Sequence, residues 1–516
     1  MIEEFTKHTR IEQLFEQQVE CCGDSPAVST ANSSCDYRQL NENTKRVNEL
    51  LSDSATRSGK PIGVLLSNSR AFVEAVLGIW RNQDVVVPMS TSYSRGDIER
   101  IISALGISTL LTSQSDQERF AGLAGTMILH DGQNWSSSAD RFGLERKPVA
   151  LNSDHAVVFL TSGTTGNPKI VALTHRNILV NLASLKKDVP LDETDKSFVC
   201  VPLCHSYGFT LQMLGTLCAG GELYIGASHR ISTDFAREVH TSQCTSFFGV
   251  PTAYRLLLDG IGRSGFVREL QCLQTLVHGA SSMTSELLGG LQKQLSRADN
   301  YLTYGLSEAS PLVTVLPPYW AESKSSSIGK AVSGVELVLR REDGTITTEA
   351  GSIGEILIKG PSVIEGYQGN PQANAASFHN GYLRTGDVAM IDADGCLFFK
   401  GRNKDLINRG GEKIYPEDVE AALQSHQAVL HSAVVPCPHE SLGEVPFAFV
   451  VLKDSHECKS TELRSWCAER LSAQQIPVGI EIVDSLPRTA TGKIRKKELS
   501  LSLFKRQPVS TVTTTD

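Results

Sequence analysis

Nowhere does the 516-residue chain contain the unbroken apolar run of roughly 20 residues that a membrane-spanning helix needs. The nearest approach, 211–225, is interrupted by Gln212, glycines and Glu222. The opening residues, Met1-Ile2-Glu3-Glu4-Phe5, are acidic and lack an apolar signal core, so secretion is not expected. A basic excess is missing too. Lys and Arg number 49 against 57 Asp and Glu, a net charge of −8, which disfavours a nucleic-acid binder. An acidic chain can still hold a local anion site. The 12 cysteines form no Cys-x-x-Cys pair. Cys21 and Cys22 are adjacent, while Cys200, Cys204 and Cys218 sit in apolar settings. They read as buried free thiols in a reducing compartment and speak against zinc. There is no internal repeat or low-complexity linker, and the polar tail 509–516 is not a Ser-Lys-Leu address. These absences lead us to expect a soluble, cytoplasmic protein of two to four domains, with no nucleic acid, no membrane span, and a monomer or homodimer state.

What is present is a strand–helix rhythm. Ile62–Leu66 reads as a strand, Ala71–Arg81 as a helix, Val85–Pro88 as a strand, Asp97–Leu105 as a helix and Thr109–Leu111 as a strand. This alternation predicts an α/β fold with a parallel, doubly wound sheet. Further strands follow at 198–202, 221–225 and 245–249. From about 325 the period becomes two: Val335, Leu337 and Leu339 alternate, and Asp343-Gly344 supplies a hairpin turn before Glu355–Ile358. Residues 388–391 and 396–399 predict another hairpin around Asp392-Ala393-Asp394-Gly395, which has too few ligands for calcium. Beyond Gly401–Asp405 come a helix from Pro416 to Ser425, strands at 432–436 and 446–452, and a helix at 461–471. That stretch predicts a separate α+β domain.

The most telling segment is Leu160-Thr161-Ser162-Gly163-Thr164-Thr165-Gly166-Asn167-Pro168-Lys169, which follows the apolar strand 156–160. Glycines let backbone N–H groups converge, hydroxyls add donors and the lysine adds charge, a combination suited to a polyphosphate. It is not a Walker A loop, because Asn167-Pro168-Lys169 breaks that spacing. The plain alternative is a polar loop after a core strand. Four further clusters are weaker taken singly. Tyr304-Gly305-Leu306-Ser307-Glu308 offers a stacking ring beside a carboxylate, or an ordinary turn. Asp387, at the end of Gly381–Asp387, suits ribose hydroxyls or a hairpin cap. His205, in Pro202-Leu203-Cys204-His205-Ser206, stands near a strand's carboxyl end, where α/β sheets bind ligands, or is a structural histidine. Lys493 precedes the charge run Arg495-Lys496-Lys497, itself compatible with a solvated face.

Their order changes the reading. Thr161–Lys169, Tyr304–Glu308, Gly381–Asp387, Gly401–Asp405, Gly410–Glu420 and Pro487–Lys493 occur in the sequence and spacing of the adenylate-forming superfamily. That superfamily comprises acyl-CoA synthetases, peptide-synthetase adenylation domains and firefly luciferase, and the chain resembles it over nearly its whole length. The resemblance implies an AMP-binding N-terminal domain, 1–402, with a small β-barrel-like subdomain at about 325–400. It also implies a mobile C-terminal domain, 403–516, carrying the catalytic lysine. Thr161, Ser162, Gly163, Thr164, Thr165, Gly166 and Lys169 would hold the β- and γ-phosphates of ATP. Gly279, Ala280 and Ser281 would line the adenine, with Tyr304 stacked on it. Glu308 would bind Mg2+, Asp387 the ribose hydroxyls, and Arg402 ribose and phosphate. Lys404 stands at the hinge. Lys493 would bridge the acid carboxylate and the α-phosphate, with His205 also in the catalytic set. Gly410 and Gly411 would pass the pantetheine arm of CoA.

By this resemblance the chain is an AMP-forming acid–thiol ligase, with CoA the expected co-substrate. The alternatives are loading of a phosphopantetheinylated carrier protein, amide formation with an amine, or an inactive nucleotide-binding copy. The pocket positions it implies are His205, Ser206, Phe247, Phe248, Val250, Pro251, Gly279 and Leu306. Amino-acid activators place an aspartate where this chain has Ser206, so an α-amino acid is disfavoured. A mostly neutral lining favours an aliphatic, cyclic or aromatic monocarboxylate as the small-molecule substrate. One departure is Ile170, where the family usually has glycine; it is expected to stiffen the phosphate loop's exit.

Overall fold

The structure, a computed structural model, describes residues 7–52, 58–138, 149–161, 169–226, 235–264, 270–281, 283–453, 456–488 and 494–505. It divides into two compact units, Met1–Leu337 with Ile358–Leu383, and Val338–Leu357 with Arg384–Asp516.

In the first unit the strand–helix rhythm becomes two sheets. One runs Trp135–Ser138, Thr126–His130, Thr109–Ser113, Pro61–Leu65, Val85–Pro88, His155–Thr161, Lys169–Thr174, parallel except at its two edges. Near-continuous apolar strands such as Val85–Pro88, buried throughout, are what a sheet covered on both faces requires. Helix Arg70–Arg81 starts where the Ser69 hydroxyl accepts the Phe72 N–H, and Ala71 to Trp80 are all buried. Trp80 donates its indole N–H to the Ala156 carbonyl at 2.8 Å and meets His175 and Phe209 edge-on. It thereby ties that helix to the strand leading into the hydroxyl-rich segment. Helix Arg95–Leu105 begins two residues before its predicted start, because Ser94 and Asp97 form a capping box, and ends at Gly106 with φ 69°.

The other sheet of this unit runs Ser34–Asp36, Pro26–Ser29, Glu222–Ile225, Lys196–Val199, Ser246–Gly249, Thr275–His278, Asp299–Gly305, Leu312–Leu316, Ser327–Ala331. From Pro26–Ser29 to Asp299–Gly305 its pairs are parallel. The predicted strand 198–202 stops at Val199. Pro202 lacks an N–H for the ladder, and its carbonyl instead accepts the His205 N–H at 3.2 Å. A π-helix follows at Tyr207–Leu214, a rare geometry that recurs at functional sites.

The second unit holds the antiparallel part, with strand bounds running slightly past the division. Its order is Ile346–Thr347, Glu336–Arg340, Ile353–Lys359, Tyr382–Ile391, Leu397–Arg402. Asp392 Oδ1 accepts the N–H groups of Asp394 and Cys396 at 3.0 and 2.8 Å, so its aspartates serve a turn. A further sheet, Glu412–Ile414, Ile407–Arg409, Gly443–Leu452, Val429–His439, has Gly479–Ile482 parallel to Gly443–Leu452. Helices Pro416–Gln424, Ser460–Ala468 and Lys496–Lys505 accompany it. The helix predicted to reach 471 ends at Ala468.

Among the described residues no helix is long and apolar enough to cross a membrane. His426, Cys458 and Glu462 bring ligand atoms within 4.8 Å of one another. However, His426 Nδ1 accepts the Ala428 N–H at 3.3 Å, and Nε2 faces Glu462 at 3.7 Å. The ring is thus held between a backbone donor and a carboxylate, an arrangement that a structural histidine accounts for.

Trp80 makes the fold testable. Trp80→Ala empties a fully buried site and leaves the Ala156 carbonyl without its donor. A loss of about 3–5 kcal/mol is expected, read from the urea midpoint of tryptophan-independent circular dichroism.

Candidate functional site

The first unit gathers one group of candidate residues at strand ends. Thr161 and Lys169 are cross-strand partners, closing the two strands that flank the phosphate segment. Ser162, Gly163, Thr164, Thr165 and Gly166 lie outside the described residues. Strand Lys169–Thr174 is antiparallel to its predecessor, so the segment joins two strands, and helix His175–Asp188 starts only after Thr174 and Asn177 form a capping box. Ile170 sits in this strand, its carbonyl accepting the Gln368 N–H at 3.1 Å.

Lys169 Nζ lies 4.3 Å from the centroid of the Tyr367 ring and 3.4 Å from Ser377 Oγ. The Tyr367 hydroxyl donates to Glu308 Oε1 at 2.9 Å. One tyrosine thus joins the cation of the phosphate segment to the candidate metal carboxylate, by its face to one and its hydroxyl to the other. Burial and the adjacent Glu308 push the Tyr367 phenol well above its usual range, so it remains a donor. Glu308, 9% exposed, sits in the 3-10 turn Ser307–Ala309, held from behind by the Ile364 N–H on its carbonyl at 2.9 Å. Among the described residues one hydroxyl donates to it, on one oxygen, so the carboxylate keeps lone pairs for a hard cation and fits Mg2+.

Tyr304 stands within strand Asp299–Gly305, next to a bulge at Gly305. A Cβ at Gly305 would lie 1.8 Å from the Pro311 carbonyl oxygen, so only glycine fits. Gly279 directly follows the neighbouring strand Thr275–His278, with its N–H on the Gly249 carbonyl at 3.1 Å, and exposed Ala280 has φ 65°. A left-handed alanine is the kind of strain that the surrounding structure must impose. Ser281 is exposed beside it.

The candidate acid pocket is partly as expected. Ser206 Oγ lies 2.9 Å from Ser307 Oγ, which brings the His205-Ser206 turn to the Leu306–Glu308 turn. Consecutive strand residues face opposite sides, and this separates Phe247 from Phe248. Phe247 packs in an aromatic core with Phe198, Phe235 and Tyr254, and both it and Phe248 are fully buried. Phe248 instead faces Tyr207, ring centroids 6.3 Å apart. Val250 and Pro251 are half-buried at the start of the next helix. Tyr207 was not anticipated. Its hydroxyl donates to the Val277 carbonyl at 2.8 Å, and a Cβ at Gly279 would lie 2.4 Å from its ring. Burial pushes the neighbouring Cys200 and Cys204 thiols up to about 12, so both are neutral wall material.

The second unit carries the other group. Asp387 and Arg402 are cross-strand partners, with Arg402 Nε 2.9 Å from Asp387 Oδ1. Asp387 is 4% exposed and lies within strand Tyr382–Ile391 instead of capping a turn. Lys404 is exposed in the 3-10 turn Asn403–Asp405. Gly410 and Gly411, φ 60° and 97°, form the two-residue turn between Ile407–Arg409 and Glu412–Ile414, which requires positive φ at both positions. Lys493 lies outside the described residues.

The profile described as AMP-binding enzyme matches residues 15–368, and that described as AMP-binding enzyme C-terminal domain matches 418–493. An oxalate–CoA ligase of Arabidopsis thaliana is 30% identical, over 88% of this chain and 90% of its own length. A feruloyl-CoA synthase of an Amycolatopsis species is 30% identical, over 92% and 95%. The solved o-succinylbenzoate CoA synthetase of Bacillus subtilis, in complex with its acyl-adenylate intermediate, superimposes with a TM-score of 0.80 at 27% identity, over 94% and 97%.

Tyr367 tests the site. Tyr367→Phe keeps the ring under Lys169 and removes the donor to Glu308. The Mg2+ concentration for half-maximal ATP-dependent turnover is expected to rise about tenfold, with the urea midpoint little changed.

Proposed function

The chain belongs to the AMP-binding enzyme family, and from that premise we propose an ATP-dependent, AMP-forming ligase that joins an apolar monocarboxylic acid to CoA. Curated relatives named for oxalate, ferulate and 2-succinylbenzoate are all CoA ligases or synthases, which favours CoA over a carrier protein or an amine. The observation that carries the reading is the Lys169–Tyr367–Glu308 chain. It holds a cation and a metal-ready carboxylate at fixed separation, a pairing that supports binding of a metal-bound polyphosphate.

In the first half reaction a carboxylate oxygen forms a bond to the α-phosphorus while the bond to pyrophosphate breaks, giving acyl-adenylate. Mg2+, when bound, neutralises charge on the phosphate oxygens. Lys169 and the Thr161 end of its strand pair hold the β- and γ-phosphates, and Tyr304 with Gly279-Ala280-Ser281 takes the adenine. Asp387 accepts the ribose hydroxyls, oriented by the Arg402 guanidinium. Lys493 draws the two anions together, so positioning and electrostatics outweigh proton transfer. In the second half reaction the CoA sulfur bonds to the acyl carbon and AMP leaves with the electron pair. A turn of the domain about Lys404 withdraws Lys493 and presents the Gly410-Gly411 tip.

Among the described residues proposed for the lining, Ser206, Phe248, Val250, Pro251, Leu306 and Gly279 are neutral and His205 is the titratable one, so this set offers no counter-ion to a second carboxylate or an ammonium. That composition supports an aliphatic, cyclic or aromatic monocarboxylate.

Pyrophosphate exchange over an acid panel tests the reading directly. Label should enter ATP only when a matching monocarboxylate and Mg2+ are present, and adding CoA should turn exchange into net AMP release. Absence of exchange with every acid would overturn it. Lys493→Ala should slow adenylation by about 10²–10³-fold, while thioester formation from preformed acyl-adenylate stays within about threefold of wild type.

A further inference from the structure

Helix His175–Asp188 continues directly from the strand that begins at Lys169, and it is buried through Ile178, Leu179, Leu182 and Leu185. Amid that apolar set stands Asn181, with no exposed surface. Its NH2 donates to the Ala309 carbonyl at 3.2 Å and to the Leu312 carbonyl at 2.8 Å, and its oxygen accepts the Leu312 N–H at 3.1 Å. Both donors and the acceptor of one side chain are therefore spent on a single turn. That turn, 307–312, carries Glu308. It contains Ser310 at φ 74°, a left-handed conformation that a serine keeps only where its surroundings impose it.

Asn177 lies four residues earlier, on the same face of the helix. Its oxygen accepts the Thr174 N–H at 2.9 Å as part of the capping box. Its NH2 donates to the carbonyls of Pro361 and Val363 at 2.7 and 3.5 Å. Segment 361–364 is the second support of the Glu308 turn. The Ser362 carbonyl accepts the Ser310 hydroxyl at 2.7 Å, and the Ile364 N–H donates to the Glu308 carbonyl at 2.9 Å. Two asparagines of one helix thus hold that turn, Asn181 directly and Asn177 through 361–364. Packing does not call for amides in this row, since burying a polar group gains nothing unless it is bonded. What they add is a fixed distance between the Lys169 strand and Glu308.

We propose that Asn181, with Asn177 as its support, is a positioning residue that sets the Glu308 carboxylate for a divalent cation. This rests on the Mg2+ role given to Glu308 above. The probe is Mn2+, titrated into the full chain with α,β-methylene-ATP, whose α–β linkage cannot be cleaved to pyrophosphate; free Mn2+ is read by electron paramagnetic resonance. Asn181→Asp keeps the acceptor for the Leu312 N–H and removes both donors, and its Kd for Mn2+ should rise about tenfold. Asn177→Asp keeps the cap, places its charge where a first helical turn favours it, and loses only the donors to 361 and 363. Its Kd for Mn2+ should rise about threefold, and it reports even if Asn181→Asp does not fold. Binding of the nucleotide analogue without metal should stay within about twofold of wild type in both, because its other contacts lie elsewhere. Wild-type Mn2+ affinity in both variants sinks the proposal, and so does equal weakening of Mn2+ and of the metal-free analogue. Glu308→Gln separates the two readings. If it binds Mn2+ as the wild type does, Glu308 is not the metal ligand and both fall. If it weakens Mn2+ while the asparagine variants do not, the positioning role alone falls.

Discussion

Two anions must be brought to bonding distance, and their repulsion governs which residues this chain places where. At about 4 Å two unit charges repel by roughly 1 kcal/mol in water and several times that in a partly buried site. Cations and donors therefore have to be in place before the reactants meet. Fixing them requires a rigid frame. The parallel sheets of the first unit supply it, because several strands end on one side and each can carry one functional residue at a fixed height. Lys169, Gly279 and Tyr304 stand at or near such ends.

The frame was largely legible in the sequence. Fully apolar strands such as Val85–Pro88 and capped helices such as Arg95–Leu105 announce themselves through period and local chemistry. Motifs are what single out the 161–169 segment, Glu308, Asp387 and Arg402, and their roles are those proposed above. Contacts between distant residues were not legible. Nothing local marks Tyr367 as the bridge between Lys169 and Glu308, since that bridge exists only once residues nearly two hundred positions apart meet. Tyr207 could have been noticed, two residues after His205, but only the close approach of Gly279 gives its ring a reason to be there. The resemblance names the pair Phe247-Phe248, whereas the pleat sends their two rings to opposite sides of the sheet.

The second unit follows a different logic. Its charged groups stand in pairs: Asp387 with Arg402 across two strands, and Glu417 and Glu420 with Lys496 across two helices. Each pair places charge on a small α+β body whose core is otherwise apolar, with Val434, Val450 and Leu463 fully buried. Such pairs are weak sources of stability and good sources of register. If such a body presents different residues at different stages, as proposed above, register is what it needs above all.

The pleat at 247–248 also bears on how such an enzyme changes over generations. Because Phe248 meets Tyr207 while its neighbour is locked among Phe198, Phe235 and Tyr254, the wall proposed to face the acid and the wall holding the sheet together would be separate inheritances. Under the proposed acid pocket, drift at position 248 would retune the acid accepted without touching the aromatic stack behind it. A lineage can therefore diversify its chemistry on an unaltered scaffold.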